Sequence, residues 1–208
     1  MNLKSIERAP RAPGLSRTLV LLHGYGADEH DLLPLAHELD PRLRAVSLRA
    51  PISLGGAMRA WFNLTQDARG LSFDPAEVLA GVEAARAAVE AIAADSPHPI
   101  LLGFSQGAGM ALGVALTRPG LAAGVLSLSG VMRPLDPADL PRPDKLKGFP
   151  VFAAHGEQDP IVPIELGRSV RDELVRLGLS VSWHEYPMGH MVIPQELEDA
   201  RAWLQKLL

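Results

Sequence analysis

The chain contains no cysteine. Disulfides, thiol nucleophiles and thiolate metal sites are therefore excluded, and the composition suits a reducing compartment such as the cytoplasm. It also lacks a basic excess. Twenty Lys and Arg stand against 24 Asp and Glu, a formal charge of −4, so there is no electrostatic footprint for nucleic acid. No apolar run approaches the ~20 residues of a membrane span. The opening MNLKSIERAPRAPGL has none of the continuous apolar stretch of a signal peptide. Repeats and low-complexity segments are missing too. What is present is 208 residues, 47% of them apolar, enough for one compact domain that buries roughly 70% of its unfolded surface. The expectation is a soluble cytoplasmic protein with residues 1–16 as a mobile or loosely docked lead-in and 17–208 as a single domain.

Apolar patterning then divides the chain. Short apolar runs over 18–23, 43–48, 60–64, 100–104, 124–128 and 151–155 read as strands, most of them buried. Alternation of Val181, Trp183 and Glu185 with Ser182, His184 and Tyr186 predicts a further strand near a sheet edge. Helical spacing marks 28–39 (Leu32, Leu35, Ala36 and Leu39 on one face), and a helix from 74 to 95 is expected to bury Val78, Leu79, Val82, Val89 and Ile92. Helices also follow over 106–117, from Leu166 through Val170, Leu174 and Leu177 to a stop at Gly178, and over 194–207. Asp74-Pro-Ala-Glu77 has the form of a capping box, with Asp74 as cap, Pro75 at the first helical position and Glu77 reaching back. Residues 130–149, rich in proline, read as a long loop. Strands alternating with helices predict an α/β fold with a mostly parallel sheet covered on both faces. Ligands of such sheets bind outside the carboxyl ends of the strands.

Reactive side chains just after strands therefore matter most. Gly103-Phe-Ser105-Gln106-Gly107 joins a strand to a helix, the context in which G-x-S-x-G presents a serine on a tight turn. The competing reading is a glycine-lined helix start that binds phosphate or is capped by Ser105. A serine hydroxyl needs a base, and the base needs a partner that fixes its tautomer. Asp159 follows the strand ending at His155, and His190 follows the strand ending near Tyr186. The order Ser, acid, His suits this architecture. The alternatives weigh less. His155 and His184 sit at a strand end and inside a strand, His30, His37 and His98 read as surface residues, and Glu157 is the rival acid. Asp136, Asp139 and Asp144 lie in the Pro-rich loop. Oxyanion donors are expected from the backbone N–H of Gln106 and, in the turn His23-Gly24-Tyr25-Gly26, from that of Tyr25.

Together, His23-Gly-Tyr-Gly-Ala-Asp28, Ala60-Trp-Phe62, Gly103-Phe-Ser-Gln-Gly107, His155-Gly-Glu-Gln-Asp159-Pro-Ile-Val-Pro163 and Tyr186-Pro-Met-Gly-His190 resemble the phospholipase/carboxylesterase family of α/β-hydrolases, which includes acyl-protein thioesterases. The resemblance runs over roughly residues 17–207. It implies Ser105 as nucleophile, Asp159 as acid, His190 as base, and Tyr25 and Gln106 as oxyanion donors. The chain departs from the family pattern at Ala108, at Asn63 (where Asp is usual) and at Met191 (where a small residue is usual). The expected reaction is hydrolysis of short to medium acyl esters through an acyl-enzyme, with no metal or cofactor required and no separate lid domain. Thioesterase or lysophospholipase activity uses the same machinery, and a non-catalytic ligand-binding protein is the reading from another class. Trp61, Met132, Val162 and Met191 are expected to line the substrate pocket. Family members can dimerise, so a homodimer is admitted.

Overall fold

The computed structural model describes residues 3–14, 17–67, 70–131 and 145–208. Seven strands form one sheet in the order β1-β3-β2-β8-β9-β10-β11. These are β1 (Ser5–Arg8), β2 (Thr18–Leu22), β3 (Arg44–Leu48), β8 (Ile100–Phe104), β9 (Gly124–Leu128), β10 (Pro150–Gly156) and β11 (Ser180–Tyr186). All neighbours are parallel except β1, which pairs antiparallel with β3. Two small hairpins lie outside the sheet: β4 (Ile52–Gly55) with β5 (Met58–Ala60), and β6 (Thr65–Asp67) with β7 (Gly70–Ser72). The five helices among the described residues are α1 (Leu33–Leu39), α2 (Pro75–Asp95), α3 (Gln106–Thr117), α4 (Ile164–Arg176) and α5 (Pro194–Leu204). None is long and apolar enough to cross a membrane.

The continuous apolar strands follow from burial on both faces. Successive side chains on a strand point to opposite sides. Thus Val20, Leu22, Val46, Leu101, Val125 and Val151 pack under α2, α3 and α4. Leu19, Leu21, Ala45, Ile100, Leu102 and Leu126 pack under α1 and α5. Each fully buried aliphatic side chain contributes about 1.5–3 kcal/mol. The expected fold class stands: a mostly parallel sheet between two helical layers.

Several local expectations change. Residues 5–8 of the lead-in are not loose, because their backbone completes the sheet edge against β3. The first helix begins at Leu33 rather than at 28. The Asp28 side chain instead accepts the His30 N–H at 2.8 Å, an Asx turn that competes with helix. No strand forms over 61–64, because that backbone is satisfied by side chains. The Trp61 N–H and the Phe62 carbonyl bond the Gln106 amide, and the Asn63 N–H bonds Glu77. Asp74 caps α2 through the Ala76 N–H at 2.8 Å. Glu77 does not return to that cap, since its carboxylate is spent on Asn63. Leu79 is 46% exposed, off the buried stripe formed by Val82, Ala85 and Val89. Helix α4 ends as expected, with Gly178 at φ +87 turning the chain.

Candidate active site

Three of the loops at the carboxyl edge of the sheet each carry one of the residues chosen from the sequence. The first is the turn from β8 into α3. Ser105 sits there at φ +54, ψ −118, a backbone conformation that costs a non-glycine residue about 1–3 kcal/mol. Its N–H is held by the Leu128 carbonyl at 2.9 Å. The flanking glycines make the close approach possible. A Cβ on Gly103 would collide with the Gly107 carbonyl, and one on Gly107 with the Leu22 carbonyl.

The second loop follows β10. Asp159 is buried, and its Oδ1 accepts the N–H groups of Ile161 at 2.9 Å and Val162 at 2.8 Å. Its Oδ2 lies 2.6 Å from His190 Nδ1. Burial pushes the Asp159 carboxyl up, but the Val162 N–H, His190 and the Ile161 N–H together outweigh it. The group ends below the ordinary carboxylate range. The third loop, after β11, brings His190 Nε2 to 2.9 Å from Ser105 Oγ. An ionised carboxylate only accepts, so Nδ1 carries the ring proton and Nε2 offers its lone pair to the serine hydroxyl. Hydroxyl, imidazole and carboxylate in this order can draw the proton off Ser105 and stabilise the imidazolium that results. The His190 ring is also held from the side by Phe104, with centroids 4.8 Å apart.

The remaining sequence candidates fall as follows. Tyr25 and Gln106 share a cavity of about 410 Å³ with Ser105 and His190. Neither backbone N–H has an acceptor among the described residues. The cavity walls come from two segments: Phe62, Leu64 and Phe73 before α2, and Ile161, Val162 and Leu166 at the start of α4. Val162 was expected in the wall. Trp61 lies instead in the core at 1% exposure, its indole N–H donating to the His23 carbonyl at 2.9 Å. Met191 is 55% exposed and is not part of the cavity lining. Met132, Asp136, Asp139 and Asp144 lie outside the described residues, as does most of the loop expected over 130–149; Val131 beside it reaches the cavity. Of the rival acid and bases, Glu157 is exposed, His184 stacks on Phe152 at 4.8 Å, and His155 bonds the Val162 carbonyl at 2.8 Å.

Sequence reasoning missed Phe62, Leu64, Phe73, Ile161 and Leu166 as wall residues. The signal for Leu166 was its own helix. It belongs to the apolar spacing that marks that helix, yet it is 48% exposed, one turn ahead of the buried Val170. It also missed the Gln106 side chain. That amide is 3% exposed, accepts the Trp61 N–H at 2.7 Å and donates to the Phe62 carbonyl at 2.8 Å, clamping a cavity wall to the start of α3.

Comparison with known proteins agrees with this architecture. The sequence profile of the family described as Phospholipase/Carboxylesterase matches residues 8–208. Acyl-protein thioesterase 1 of Mycosarcoma maydis is 31% identical over 218 residues, which cover 92% of this chain and 91% of that one. Acyl-protein thioesterase 1 of Gibberella zeae is 42% identical over 116 residues, a match that spans 54% of this chain and only about half (49%) of that protein. Among solved structures, esterase PE8 superposes with a TM-score of 0.81 at 28% identity, over 100% of both chains. The chain belongs to the phospholipase/carboxylesterase family, a family of serine hydrolases with the α/β-hydrolase fold.

Proposed function

We propose that this protein, acting as one domain over 17–208, is a serine carboxylesterase that hydrolyses acyl esters through an acyl-enzyme on Ser105. The observation that supports this most is the relay of 2.9 Å and 2.6 Å from Ser105 through His190 to Asp159, opening on a cavity walled by aliphatic and aromatic side chains. His190 Nε2 takes the proton as Ser105 Oγ attacks the ester carbonyl. The N–H groups of Tyr25 and Gln106 receive the oxyanion. As the tetrahedral intermediate collapses, His190 returns the proton to the leaving alcohol. Water then attacks the acyl carbon as it gives a proton to His190, and His190 passes that proton to Ser105 Oγ as the acid is released. Every step uses groups of this chain and water.

Phe62, Leu64 and Phe73 face short to medium acyl chains with apolar surface. The relatives named acyl-protein thioesterases extend the reading to thioesters, since attack and oxyanion stabilisation are the same for both bonds. The test is turnover of a p-nitrophenyl ester series, from acetate to long acyl chains, alongside matched thioesters. Ser105→Ala is run in parallel, and labelling by a phosphonate is located on the chain. Serine-dependent turnover with a chain-length optimum supports the proposal. Equal turnover by Ser105→Ala sinks it. A wild type that neither turns over nor takes the phosphonate would be a ligand-binding protein on this fold.

A further inference from the structure

His23 takes no part in the relay, yet it is fully buried at the mouth of the sheet. Its ring makes two hydrogen bonds that together define its state. The Ala50 N–H lies 3.2 Å from Nε2, so Nε2 holds a lone pair and accepts. The proton is therefore on Nδ1, which donates to the Gly24 carbonyl at 2.8 Å. Burial pushes the imidazole pKa down, in keeping with a neutral ring.

The acceptor matters because of the other end of its peptide unit. The Gly24 C=O and the Tyr25 N–H belong to one planar trans amide and point in opposite directions. Drawing the carbonyl toward the buried ring turns the N–H away from it. A donor at the carbonyl oxygen also polarises the amide and makes its N–H a stronger donor. This peptide lies against the nucleophile: a Cβ on Gly24 would sit 3.4 Å from Ser105 Cβ. The next two N–H groups of the turn are occupied, Gly26 by the Arg59 carbonyl at 2.9 Å and Ala27 by the Gly24 carbonyl at 3.4 Å. Of the Tyr25, Gly26 and Ala27 N–H groups, that of Tyr25 is the one without an acceptor among the described residues. The His23 carbonyl is itself pinned by the Trp61 indole N–H at 2.9 Å, and the Trp61 backbone by the Gln106 side chain.

We propose that His23 is a positioning residue for oxyanion stabilisation: its Nδ1–H fixes and polarises the Gly24–Tyr25 peptide so that the Tyr25 N–H is preset for the developing negative charge. This rests on the serine-esterase reading given above, with Ser105 as nucleophile and Tyr25 as an oxyanion donor. Such a residue acts on the transition state and leaves ground-state binding alone. His23→Leu removes the donor. His23→Asn places an amide nitrogen where Nδ1 stands and keeps it.

The experiment measures kcat, KM and the inhibition constant of an alkyl boronic acid, whose tetrahedral adduct mimics the oxyanion. His23→Leu is expected to lower kcat and boronate affinity together by about 10-fold or more, with KM within about twofold. His23→Asn should recover most of both. A folded His23→Leu with unchanged kcat and boronate affinity overturns the proposal, as does a loss confined to KM. The tautomer is read separately by nitrogen NMR of the wild-type ring, which needs no variant to fold. Protonation on Nδ1 is expected, and a proton on Nε2 overturns the proposal. Failure of the underlying reading looks different, because the wild type would then not be labelled at Ser105 by phosphonate.

Discussion

Two strands of the central sheet are closed by the same dipeptide: His23-Gly24 directly follows β2, and His155-Gly156 are the last two residues of β10. Both histidines are buried, at 0% and 1% exposure, and each has a ring nitrogen 2.8 Å from a backbone carbonyl. The sheet order places β8, with Ser105 at its end, between them. The difference lies in reach. His23 bonds the very next residue and holds the tight turn that carries Tyr25, which lines the cavity. His155 bonds Val162, seven residues on, and braces the wider loop whose N–H groups hold Asp159. One local device thus serves the Tyr25 turn on one side of the serine and the Asp159 loop on the other. A buried histidine at a strand end is here a fastener for backbone, and the loop it closes decides what is fastened.

The largest way to break this comparison is on the acid side. Asp159→Asn keeps the shape but cannot hold the Nδ1–H tautomer of His190, and kcat should fall by about 10³–10⁴. Steady-state turnover of a p-nitrophenyl ester reads it, and a loss below tenfold would mean that His190 is oriented by something else.

The two glycines sharpen the contrast further. A Cβ on Gly156 would overlap the Met188 carbonyl and lie 2.5 Å from that of Gly189, so the segment carrying His190 would have to move. Gly156→Ala is expected to cost about 2 kcal/mol, or ~4–8 °C in Tm. A Cβ on Gly24 comes no closer than 3.2 Å to the Phe104 ring, 3.4 Å to Ser105 Cβ and 3.5 Å to the Phe104 carbonyl. Gly24→Ala should therefore keep Tm within about 2 °C while lowering kcat about tenfold by crowding the nucleophile. Thermal melts and kinetics on both variants would reverse the argument if the pattern were exchanged.

The smallest effects separate the two sides by pH. Glu196, in the first turn of α5 beyond His190, is fully buried, and the Ile193 backbone N–H offsets only part of the cost of burying its carboxylate. Burial pushes its pKa from 4.5 up to about 8. Between those values the folded state keeps a proton that the unfolded chain releases, so this group lowers stability as pH rises. His23 has the opposite sign. Burial lowers its pKa from 6.5, the unfolded chain takes up the proton first, and stability falls as pH drops below that value. Glu196→Gln should raise Tm at pH 8 by ~2–4 °C, worth about 1 kcal/mol, and change it little at pH 4.5. Equal gains at both pH values would show that the carboxyl is not titrating.

How much of this was legible in the sequence follows from where each element finds its partners. The bounds of β8, α3 and β9 match the apolar runs residue for residue, because the strands are covered on both faces and closed by Gly or polar residues. Ser105, Asp159 and His190 were chosen for following strands, and a parallel sheet brings such positions to one edge. Segment 60–64 misled past Ala60, because the backbone partners of 61–63 are the side chains of Gln106 and Glu77, which no local pattern encodes. The cavity wall was legible only in part. Val162 and Phe62 stand beside recognised motifs, but Trp61 carried the larger aromatic ring and went to the core. Strand β1 left no signature at all, since only Ile6 of its four residues is even half-buried.

That strand has a consequence for the molecule outside its chemistry. β3 carries Ala45, Val46 and Leu48 in the core, and without β1 its outer row of N–H and C=O groups would be open to pairing with another chain. Four residues cover that row and carry charge on the rim, with Glu7 bonded to Arg44 at 2.7 Å and Arg8 exposed beside it. A chain cut back to residue 17 would keep every group near Ser105 and still lose its protection against edge-to-edge aggregation. The segment that looks most dispensable in the sequence is the one that covers the edge of the sheet.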